Sequence, residues 1–364
     1  GLETDDTRVF LPGAISGAGA LIKNGPHTVY LTHATNTYSG GTTINEGCLS
    51  MHHQGLGTGP VTLNKSGTIS FDGPPVNNAL TSDGGCISGG SDAHWNGPVK
   101  LNGNTKVHAH DSLEFNNKEG GISGPGGLTQ TGHPVDHGIR SGMIKLFGPN
   151  TYTGPTKVEM GLLEVKSSIY NNDPARWTPA NISVNGAAGE LRLHVGGEDA
   201  FTIGQAGTML RNICTGVNSN GMMAGATFGL DTTGATTVQE LSINIADSQG
   251  PGGGSVTLKK CGAGTLKLSG ANTYTGQTII TGGTLSIDSF NSMAKRKASS
   301  SLGAPKTDAD AEIMISGGST LMYIGKGETT DRNLNLPGGG DTITLDQSGT
   351  GLLKLTSAFV MSGF

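Results

Sequence analysis

The sequence predicts an all-β protein, folded as a single right-handed parallel β-helix, or β-solenoid, over residues 1–364. Three observations predict this class. Apolar residues recur in short alternating runs, which are typical of half-buried strands. Glycine accounts for 62 of the 364 residues and lies with Ser, Thr and Asn between those runs, so many short strands should be joined by tight turns. One strand-turn-strand block also occurs three times.

The clearest block runs from Leu266 to Ile287. Leu266 and Leu268 alternate with polar residues, so they predict a strand with one face in a core. The segment from Asn272 to Gly276 has the sequence Asn-Thr-Tyr-Thr-Gly. It predicts a turn, because Asn tolerates unusual backbone angles and Gly supplies positive φ.

The second half of the block returns the chain to the core through Ile280 and Leu285. The step between these residues is odd, and an odd step turns side chains to opposite faces of a sheet unless a bulge absorbs it. The pair Gly282-Gly283 lies within the step. A bulge or bend is therefore predicted at these glycines.

Two further copies of the block have the same internal spacing. In each, an Ile or Val follows the Asn by 8 residues and a Leu follows it by 13. The motif residues are Asn36, Tyr38 and Gly40 in the first copy, Asn150, Tyr152 and Gly154 in the second, and Asn272, Tyr274 and Gly276 in the third. We expect each Asn at a corner between strands, with its amide bonded to backbone groups. The residues expected in the lumen are Ile44, Leu49, Val158, Leu163, Leu266, Leu268, Ile280 and Leu285.

This block resembles the autotransporter-associated β-strand repeat, whose pattern is roughly G-T-L-x-L-x-G-x-N-T-Y-T-G-x-T-x-I-x-x-G-x-L, often followed by a leucine-glycine pair. The third copy matches almost throughout and reaches Leu302-Gly303, and the first ends in Leu56-Gly57. The second has Ile169 to Pro179 in place of a clear pair. The resemblance implies a passenger-type β-solenoid, secreted or on the cell surface of a Gram-negative-like bacterium. It implies no catalytic residues and no cofactor, because the repeat is a structural unit.

Charge and hydropathy argue against several other classes of protein. The formal net charge is −5, which argues against a nucleic-acid surface. No apolar run reaches the ~18–20 residues of a membrane helix, so we expect no membrane insertion by this piece. The acidic start, Gly1 to Asp6, is unlike a signal peptide. Both ends are therefore expected to be cuts from a longer precursor.

Four cysteines are present, namely Cys48, Cys86, Cys214 and Cys261. None belongs to a C-x-x-C pair, which argues against a zinc knuckle. In an exported protein the pairings between sequence neighbours would be Cys48–Cys86 and Cys214–Cys261. The alternative is that the cysteines are free thiols that pack as small apolar residues.

One candidate inserted loop lies at residues 292–310 and holds the basic cluster Lys295-Arg296-Lys297. Contact with an anionic surface is one interpretation of this cluster. A solvated loop is the favoured one, because charge runs usually lie in solvent.

An enzyme of this fold needs grouped carboxylates, or a carboxylate with a base, on neighbouring turns of the coil, as polysaccharide-cleaving β-helix enzymes do. The nearest group is Asp136, His137 and Arg140, which lie in a Gly- and Pro-rich run. A polar loop is the favoured interpretation. We therefore predict no catalytic residue.

One group resembles a metal site. His108 and His110 lie two residues apart, which places them on one face of a strand, and Asp111 follows. Histidine pairs at a protein surface usually bind no metal, so no metal is predicted.

Two function classes remain ahead of an enzyme. One is a structural surface element, such as a passenger stalk, a fibre or a filament subunit. The other is an adhesin, a binding module that recognises a glycan or a host protein. Sugar binding favours exposed aromatic side chains, and the two tryptophans, Trp95 and Trp177, lie far apart in sequence. This favours the structural class.

The ends of the solenoid are expected to contact other polypeptide. Val9 to Pro12 is apolar, Thr350 to Met361 is apolar and uncharged apart from Lys354, and neither stretch shows an evident cap. Uncovered strand edges pair with another chain, and repeat arrays therefore carry caps. We expect either continuation of the chain or self-association with another copy.

Overall fold

The structure is a computed structural model that describes residues 8–53, 55–135, 138–140, 142–292, 298–336 and 342–361, with only the backbone described for 133–135 and 138–140. The chain divides into two compact units, residues 1–173 and 174–364, and each is described by itself. Both are built mainly from parallel strands, which confirms the predicted all-β parallel solenoid. The predicted continuity of one solenoid over residues 1–364 stays a prediction.

The first unit contains eighteen described strands. They are β1 (Arg8–Leu11), β2 (Leu21–Lys23), β3 (Thr28–Leu31), β4 (Thr42–Met51), β5 (Val61–Phe71), β6 (Leu80–Ser82), β7 (Cys86–Gly89), β8 (Ala93–Trp95), β9 (Val99–Leu101), β10 (Thr105–Ala109), β11 (Ser112–Phe115), β12 (Ile122–Ser123), β13 (Leu128–Gln130), β14 (His133–Val135), β15 (Gly138–Arg140), β16 (Met143–Leu146), β17 (Thr156–Val158) and β18 (Gly161–Val165).

These strands form two parallel sheets and one hairpin. The first sheet follows the path β1-β3-β4-β5-β7-β10-β13-β17, and β2, β6, β9 and β12 pair beside it. The second sheet follows β8-β11-β16-β18. The hairpin β14–β15 is antiparallel. It lies between β13 and β16 in sequence, so it is an insertion into the coil.

Each turn of the coil, here called a rung, takes about 20 residues, as the strand register shows. Thr28 lies opposite Cys48, and Thr68 lies opposite Cys86. Rungs lengthen where an element is inserted, since Ser112 lies opposite Met143 with the hairpin between them. Because each rung covers the apolar side chains of the next, stability comes from stacking.

After a short 3₁₀-helix at Pro174–Arg176, the second unit contains fourteen described strands and two α-helices. They are β19 (Ile182–Val184), β20 (Gly189–His194), α1 (Ile203–Cys214), β21 (Thr227–Asp231), β22 (Gln239–Leu241), β23 (Thr257–Cys261), β24 (Thr265–Leu268), β25 (Thr278–Ile280), β26 (Thr284–Ile287), α2 (Asp308–Ala311), β27 (Ile313–Ile315), β28 (Thr320–Tyr323), β29 (Glu328–Thr330), β30 (Leu334–Asn335), β31 (Thr344–Gln347) and β32 (Leu353–Leu355).

The strands of the second unit also pair in parallel. One sheet follows β20-β21-β23-β25-β27-β30, another follows β22-β24-β26-β28-β31, and β29 pairs with β32. Within the sheet β22-β24-β26-β28-β31 the register runs through Leu266, Leu285, Leu321 and Leu345, one leucine from each of four successive strands. These leucines form one inward-facing column. The leucine at one end of the column, Leu345, is more exposed than the other three.

Helix α1 lies within a long rung of the second unit, since Glu190 on β20 lies opposite Thr227 on β21. Its first turn is fixed by a capping box between Thr202 and Gln205, which satisfies backbone N–H groups that the helix leaves free. The apolar face of α1 packs against β22. Within the described part of the chain, no helix has the length and apolar character needed to span a membrane.

The candidate inserted loop, residues 292–310, falls in the longest rung of the β26 sheet. Thr284 on β26 lies opposite Thr320 on β28, and the stretch between them includes α2. The basic cluster at residues 295–297 lies outside the described residues. Its interpretation as a solvated loop stays a prediction.

The core consists of inward-facing apolar side chains. The eight residues that the sequence places in the lumen are all buried, with exposed fractions of 1% or less. Trp95 and Trp177 are also buried, and Trp95 donates from Nε1 to the carbonyl of Asn78 at 3.1 Å. Neither tryptophan can therefore serve as a surface platform for a sugar.

The four cysteines are free thiols in the structure. Cys48 lies opposite Thr68 and Thr68 lies opposite Cys86, so two rung spacings of ~4.8 Å each separate the two cysteines. A disulfide does not bridge Cα atoms more than ~7 Å apart, so the Cys48–Cys86 pairing is wrong. Cys214 and Cys261 are buried thiols, and the second pairing is not formed either.

Candidate functional site

The motif asparagine of the third copy joins three successive rungs. Asn272 is fully buried. Its Oδ1 accepts a hydrogen bond from the backbone N–H of Ile245 at 2.8 Å, and its Nδ2 donates to the carbonyl of Ser301 at 2.7 Å. Ile245 lies on the preceding rung and Ser301 on the following one. One side chain therefore links the backbone on both sides of its own rung.

Asn36 repeats this arrangement, whereas Asn150 departs from it. Asn36 accepts from the N–H of Ile15 at 2.8 Å and donates to the carbonyl of Gly55 at 2.9 Å. Asn150 donates from Nδ2 to the carbonyl of Gly148 at 2.7 Å, within its own rung. Its Oδ1 is buried without a hydrogen-bond partner. The second copy is thus the least completely bonded of the three at this position.

Each motif tyrosine shares a hydrogen bond with a threonine four residues later. The oxygen-to-oxygen distances are 2.6 Å for Tyr38 and Thr42, 2.6 Å for Tyr152 and Thr156, and 2.7 Å for Tyr274 and Thr278. All six residues are buried. Burial raises the pKa of Tyr274 to about 12, so its hydroxyl stays neutral at physiological pH. These hydroxyls bond to each other in the core and are not exposed to a substrate.

The motif glycines are required for a reason that the sequence did not reveal. Gly40, Gly154 and Gly276 are not among the glycines with positive φ, so the prediction of positive φ at Gly276 is wrong. A Cβ atom on Gly276 would lie within 3.0 Å of the carbonyl of Val256 on the preceding rung. Equivalent clashes with backbone would occur at the other two positions. Rungs approach so closely here that only glycine fits.

Positive φ occurs instead at the predicted bulge. Gly283 has a φ of 60°, and the equivalent residues Gly47 and Gly161 have values of 70° and 90°. In the first copy the register between β4 and β5 shifts between Ile44 and Glu46, as it does at a β-bulge. The bulge absorbs the odd step that the sequence contains.

A buried lysine lies beside the bulge of the third copy. Lys260 lies opposite Ile280, and its Nζ donates to the carbonyls of Cys261 at 2.8 Å, Gly262 at 2.7 Å and Gly282 at 2.8 Å. Burial lowers the pKa of Lys260 to about 8. The three carbonyl oxygens offset part of the cost of placing an ammonium group away from water.

The first copy has the same carbonyl cradle. Lys23 is buried, and its Nζ donates to the carbonyls of Asn24 at 3.0 Å, Gly25 at 2.6 Å and Glu46 at 2.9 Å. In the second copy the equivalent residue is Gln130, which is also buried. The first and third copies thus enclose an ammonium group where the second copy encloses a neutral amide.

In each copy the chain leaves the corner through a residue with positive φ. Gly57 and Gly303, the second members of the leucine-glycine pairs, have φ values of 62° and 74°. In the second copy Asn171, with φ of 54°, follows Tyr170, whose hydroxyl lies 2.8 Å from that of Thr156. Tyr170 and Asn171 therefore replace the missing pair, because Asn tolerates the left-handed conformation better than most residues.

The residues of the predicted metal group contact different partners. His108 Nδ1 lies 3.7 Å from the Sγ of Cys86, and His110 Nδ1 lies 3.2 Å from a carboxylate oxygen of Asp111. Burial raises the pKa of the Cys86 thiol to about 12, so it is neutral and is a poor nucleophile. The geometry favours pairwise contacts over a shared metal.

The predicted catalytic group belongs to the hairpin β14–β15. Asp136 and His137 lie between its two strands, outside the described residues, and the side chain of Arg140 is outside them as well. This candidate therefore stays a prediction.

Two parts of the corner were not predicted from the sequence. The threonines that bond to the tyrosines, Thr42, Thr156 and Thr278, are visible in the block as the Thr two residues before the Ile or Val. The buried lysines Lys23 and Lys260 lie on the rung before the bulge. No pattern within the block predicts that these lysines are buried, because their role depends on the register between rungs.

A family model described as passenger-associated-transport-repeat matches residues 21–51, 141–165 and 258–287. These three segments contain the bulges and the strands on either side of them. At each of its three Asn-Thr-Tyr blocks the chain is therefore similar to this repeat family. The resemblance first suggested by the Asn-Thr-Tyr block is thereby confirmed.

A curated relative extends the likeness beyond these repeats. The chain is 30% identical over 362 residues to a protein named adhesin BmaC autotransporter, from Brucella suis biovar 1 (strain 1330). The match covers 95% of this chain and 9% of the relative, so the chain spans a small part of that protein's length. Comparison with solved structures finds no match.

Proposed function

We propose that this chain is a segment of an autotransporter passenger, displayed outside the outer membrane of a Gram-negative-like bacterium, where it serves as a rigid scaffold within an adhesin. The corner of the passenger-associated-transport-repeats carries the proposal. Its asparagine, tyrosine, threonine and glycine residues contact neighbouring rungs or the strand that follows, and such contacts stabilise an extended stack. The relative's name, adhesin autotransporter, supports a location at the cell surface.

The same corner supports a non-enzymatic role. Catalysis needs titratable groups that are open to a substrate and close to one another. The hydroxyl of Tyr274 is bonded to Thr278, and the amine of Lys260 is enclosed by three carbonyls. These groups stabilise the fold through hydrogen bonds, and those bonds would have to break before the groups could react with a bound ligand.

The proposal includes contacts at the end of the rung stack. In the inward column of the second unit, Leu266 and Leu285 are 0% exposed and Leu321 is 2% exposed, but Leu345 is 42% exposed. The first three leucines are covered by the next rung, and Leu345 is not. We propose that a further parallel rung, from the same polypeptide or from a second copy, covers this surface in the native assembly.

Light scattering on purified residues 1–364 tests the end contacts. We expect oligomers that dissociate when Leu345→Glu places a charge on the apolar surface. Thr344→Glu is the matched control, because Thr344 is its exposed neighbour on the same strand and its substitution should leave the oligomers intact. A stable monomer whose terminal-rung amides are protected from hydrogen exchange would contradict the end contacts.

A second candidate is that this chain itself binds a glycan or a host protein. Thr43, Thr62 and Thr81 lie opposite one another on three successive strands of the first unit, each half-buried on the outer face. This ladder of hydroxyls offers regularly spaced hydrogen-bonding groups. Binding of the fluorescently labelled chain to a glycan array, with Thr62→Lys as the disrupted variant, separates this role from that of a passive scaffold. Equal signals from the chain and from a labelled unrelated protein would remove this candidate.

A further inference from the structure

The second copy of the repeat has a buried oxygen atom without a donor where the other copies have a lysine. Gln130 lies opposite Val158 in the same register in which Lys260 lies opposite Ile280. Its side chain is 1% exposed, and its Oε1 is buried without a hydrogen-bond partner. A buried acceptor left without a donor destabilises the folded state, so this atom points to a bound species.

The amide nitrogen of Gln130 does not replace the lysine ammonium. It donates to the carbonyls of Gly142 at 2.9 Å and Leu162 at 3.0 Å. In the other copies the cradle consists of the two carbonyls that follow the lysine and the carbonyl that precedes the bulge glycine. By their positions in the chain relative to Gln130 and to the bulge residue Gly161, the corresponding carbonyls of the second copy belong to Thr131, Gly132 and Met160.

We propose that the corner of the second copy binds a monovalent cation of about the size of ammonium, with potassium as the physiological ion. Its ligands are the carbonyl oxygens of Thr131, Gly132 and Met160 and the Oε1 of Gln130. The ion occupies the position that the Nζ atoms of Lys23 and Lys260 occupy in the other two copies.

The donor set selects the class of ion. Every proposed ligand is a neutral carbonyl or amide oxygen, and potassium is bound by rings of carbonyl oxygens that replace its hydration shell. Calcium sites usually include carboxylates, and magnesium retains several waters in an octahedral shell. The two ammonium groups show that this backbone geometry accepts a single positive charge at distances of 2.6–3.0 Å. Thr131 and Gly132 are half-buried, which leaves a path for an ion to enter.

Thermal unfolding of residues 1–364 in potassium chloride and in choline chloride, at equal ionic strength, tests the proposal. We expect the midpoint in potassium to exceed that in choline by ~2 °C or more, with the difference growing with the logarithm of potassium concentration. The variant Gln130→Lys supplies its own ammonium and should lose this dependence. Lys23→Gln recreates the arrangement of the second copy in the first, and it should gain a stronger potassium dependence than the wild type has.

A crystal grown in rubidium chloride provides a readout that does not depend on any variant. We expect an anomalous peak within bonding distance of the Oε1 of Gln130. Equal midpoints for the wild type in potassium and choline, together with no peak at this corner, would overturn the proposal and assign a water molecule to the orphaned oxygen. Should Gln130→Lys fail to fold, the wild-type titration and the rubidium crystal still decide the question.

Discussion

The hydroxyl oxygens of Tyr274 and Thr278 lie 2.7 Å apart in the core of the third repeat, and both side chains are buried. The bond satisfies two polar groups that water does not reach. It also holds the corner against strand β25, to which Thr278 belongs. The same pair occurs in all three repeats, so the corner combines close backbone contact with one hydroxyl bond.

The substitution Tyr274→Phe should lower the free energy of unfolding by ~1–2 kcal/mol, because the hydroxyl of Thr278 loses its partner in the core. Tyr30→Phe is the control, since Tyr30 is only half-buried on strand β3 and its change should stay within ~0.5 kcal/mol. Urea unfolding followed by circular dichroism measures both. Similar losses for the two variants would argue against the role of the buried bond.

The three motif asparagines should differ in importance. Asn272→Ala removes bonds to two neighbouring rungs and leaves the N–H of Ile245 without its acceptor, so we expect a loss of ~2 kcal/mol or more. Asn150→Ala removes one bond within its own rung and an acceptor that had no donor. Its loss should be ~1 kcal/mol or less. The reverse order in chemical unfolding would contradict the bonding pattern described for the corner.

Two glycines should respond to alanine in opposite directions. Gly276→Ala places a Cβ against the carbonyl of Val256, and the rungs must separate, so we expect a loss of more than ~2 kcal/mol. Gly204, on helix α1, has open space around a Cβ, and alanine there should add ~0.5–1 kcal/mol through helix propensity. Thermal unfolding of both variants checks the expected signs.

The cysteine thiols should react slowly in the folded protein. Burial raises the pKa of Cys86 and of Cys214 to about 12, above the ~8.5 of a free cysteine. Alkylation by iodoacetamide at pH 8 should therefore be slower by a factor of a hundred or more in the native chain than in urea, because the thiolate is the nucleophile. Equal rates would show that these thiols are open to solvent.

The same shift makes stability depend on pH. Because the folded-state pKa of these thiols is raised, their contribution is complete below the unfolded pKa of ~8.5 and is lost as pH rises toward 12. We expect the wild type to lose more stability between pH 8 and pH 10.5 than the variant Cys86→Ala does. Parallel pH profiles for the two proteins would contradict this assignment.

Much of the fold was predictable because its signals are local. The alternation of Leu266 and Leu268, and the odd step from Ile280 to Leu285, were sufficient to predict strands and a bulge. The bulge lies where paired glycines were expected, and Gly283 has the positive φ that such a bend requires.

The remaining features depend on register between rungs, which a single sequence does not display. The need for glycine at position 276 arises from Val256 on the preceding rung. The Cys48–Cys86 pairing failed because Thr68 lies between the two cysteines in the stack. The role of the buried lysines was not predictable for the same reason, since Lys260 contacts Gly282 only after the coil has completed a turn.

Hydrogen exchange measured by mass spectrometry, comparing Asn272→Ala with the wild type, tests most directly the claim that each complete corner ties its rung to both neighbours. We expect faster exchange in the peptide containing Ile245 and in the peptide containing Ser301, one on each side of Asn272, with no change in the first unit. Asn77→Ala, which removes an exposed asparagine, should leave all these peptides unchanged. Faster exchange confined to the peptide that contains residue 272, or no change in any peptide, would contradict the claim.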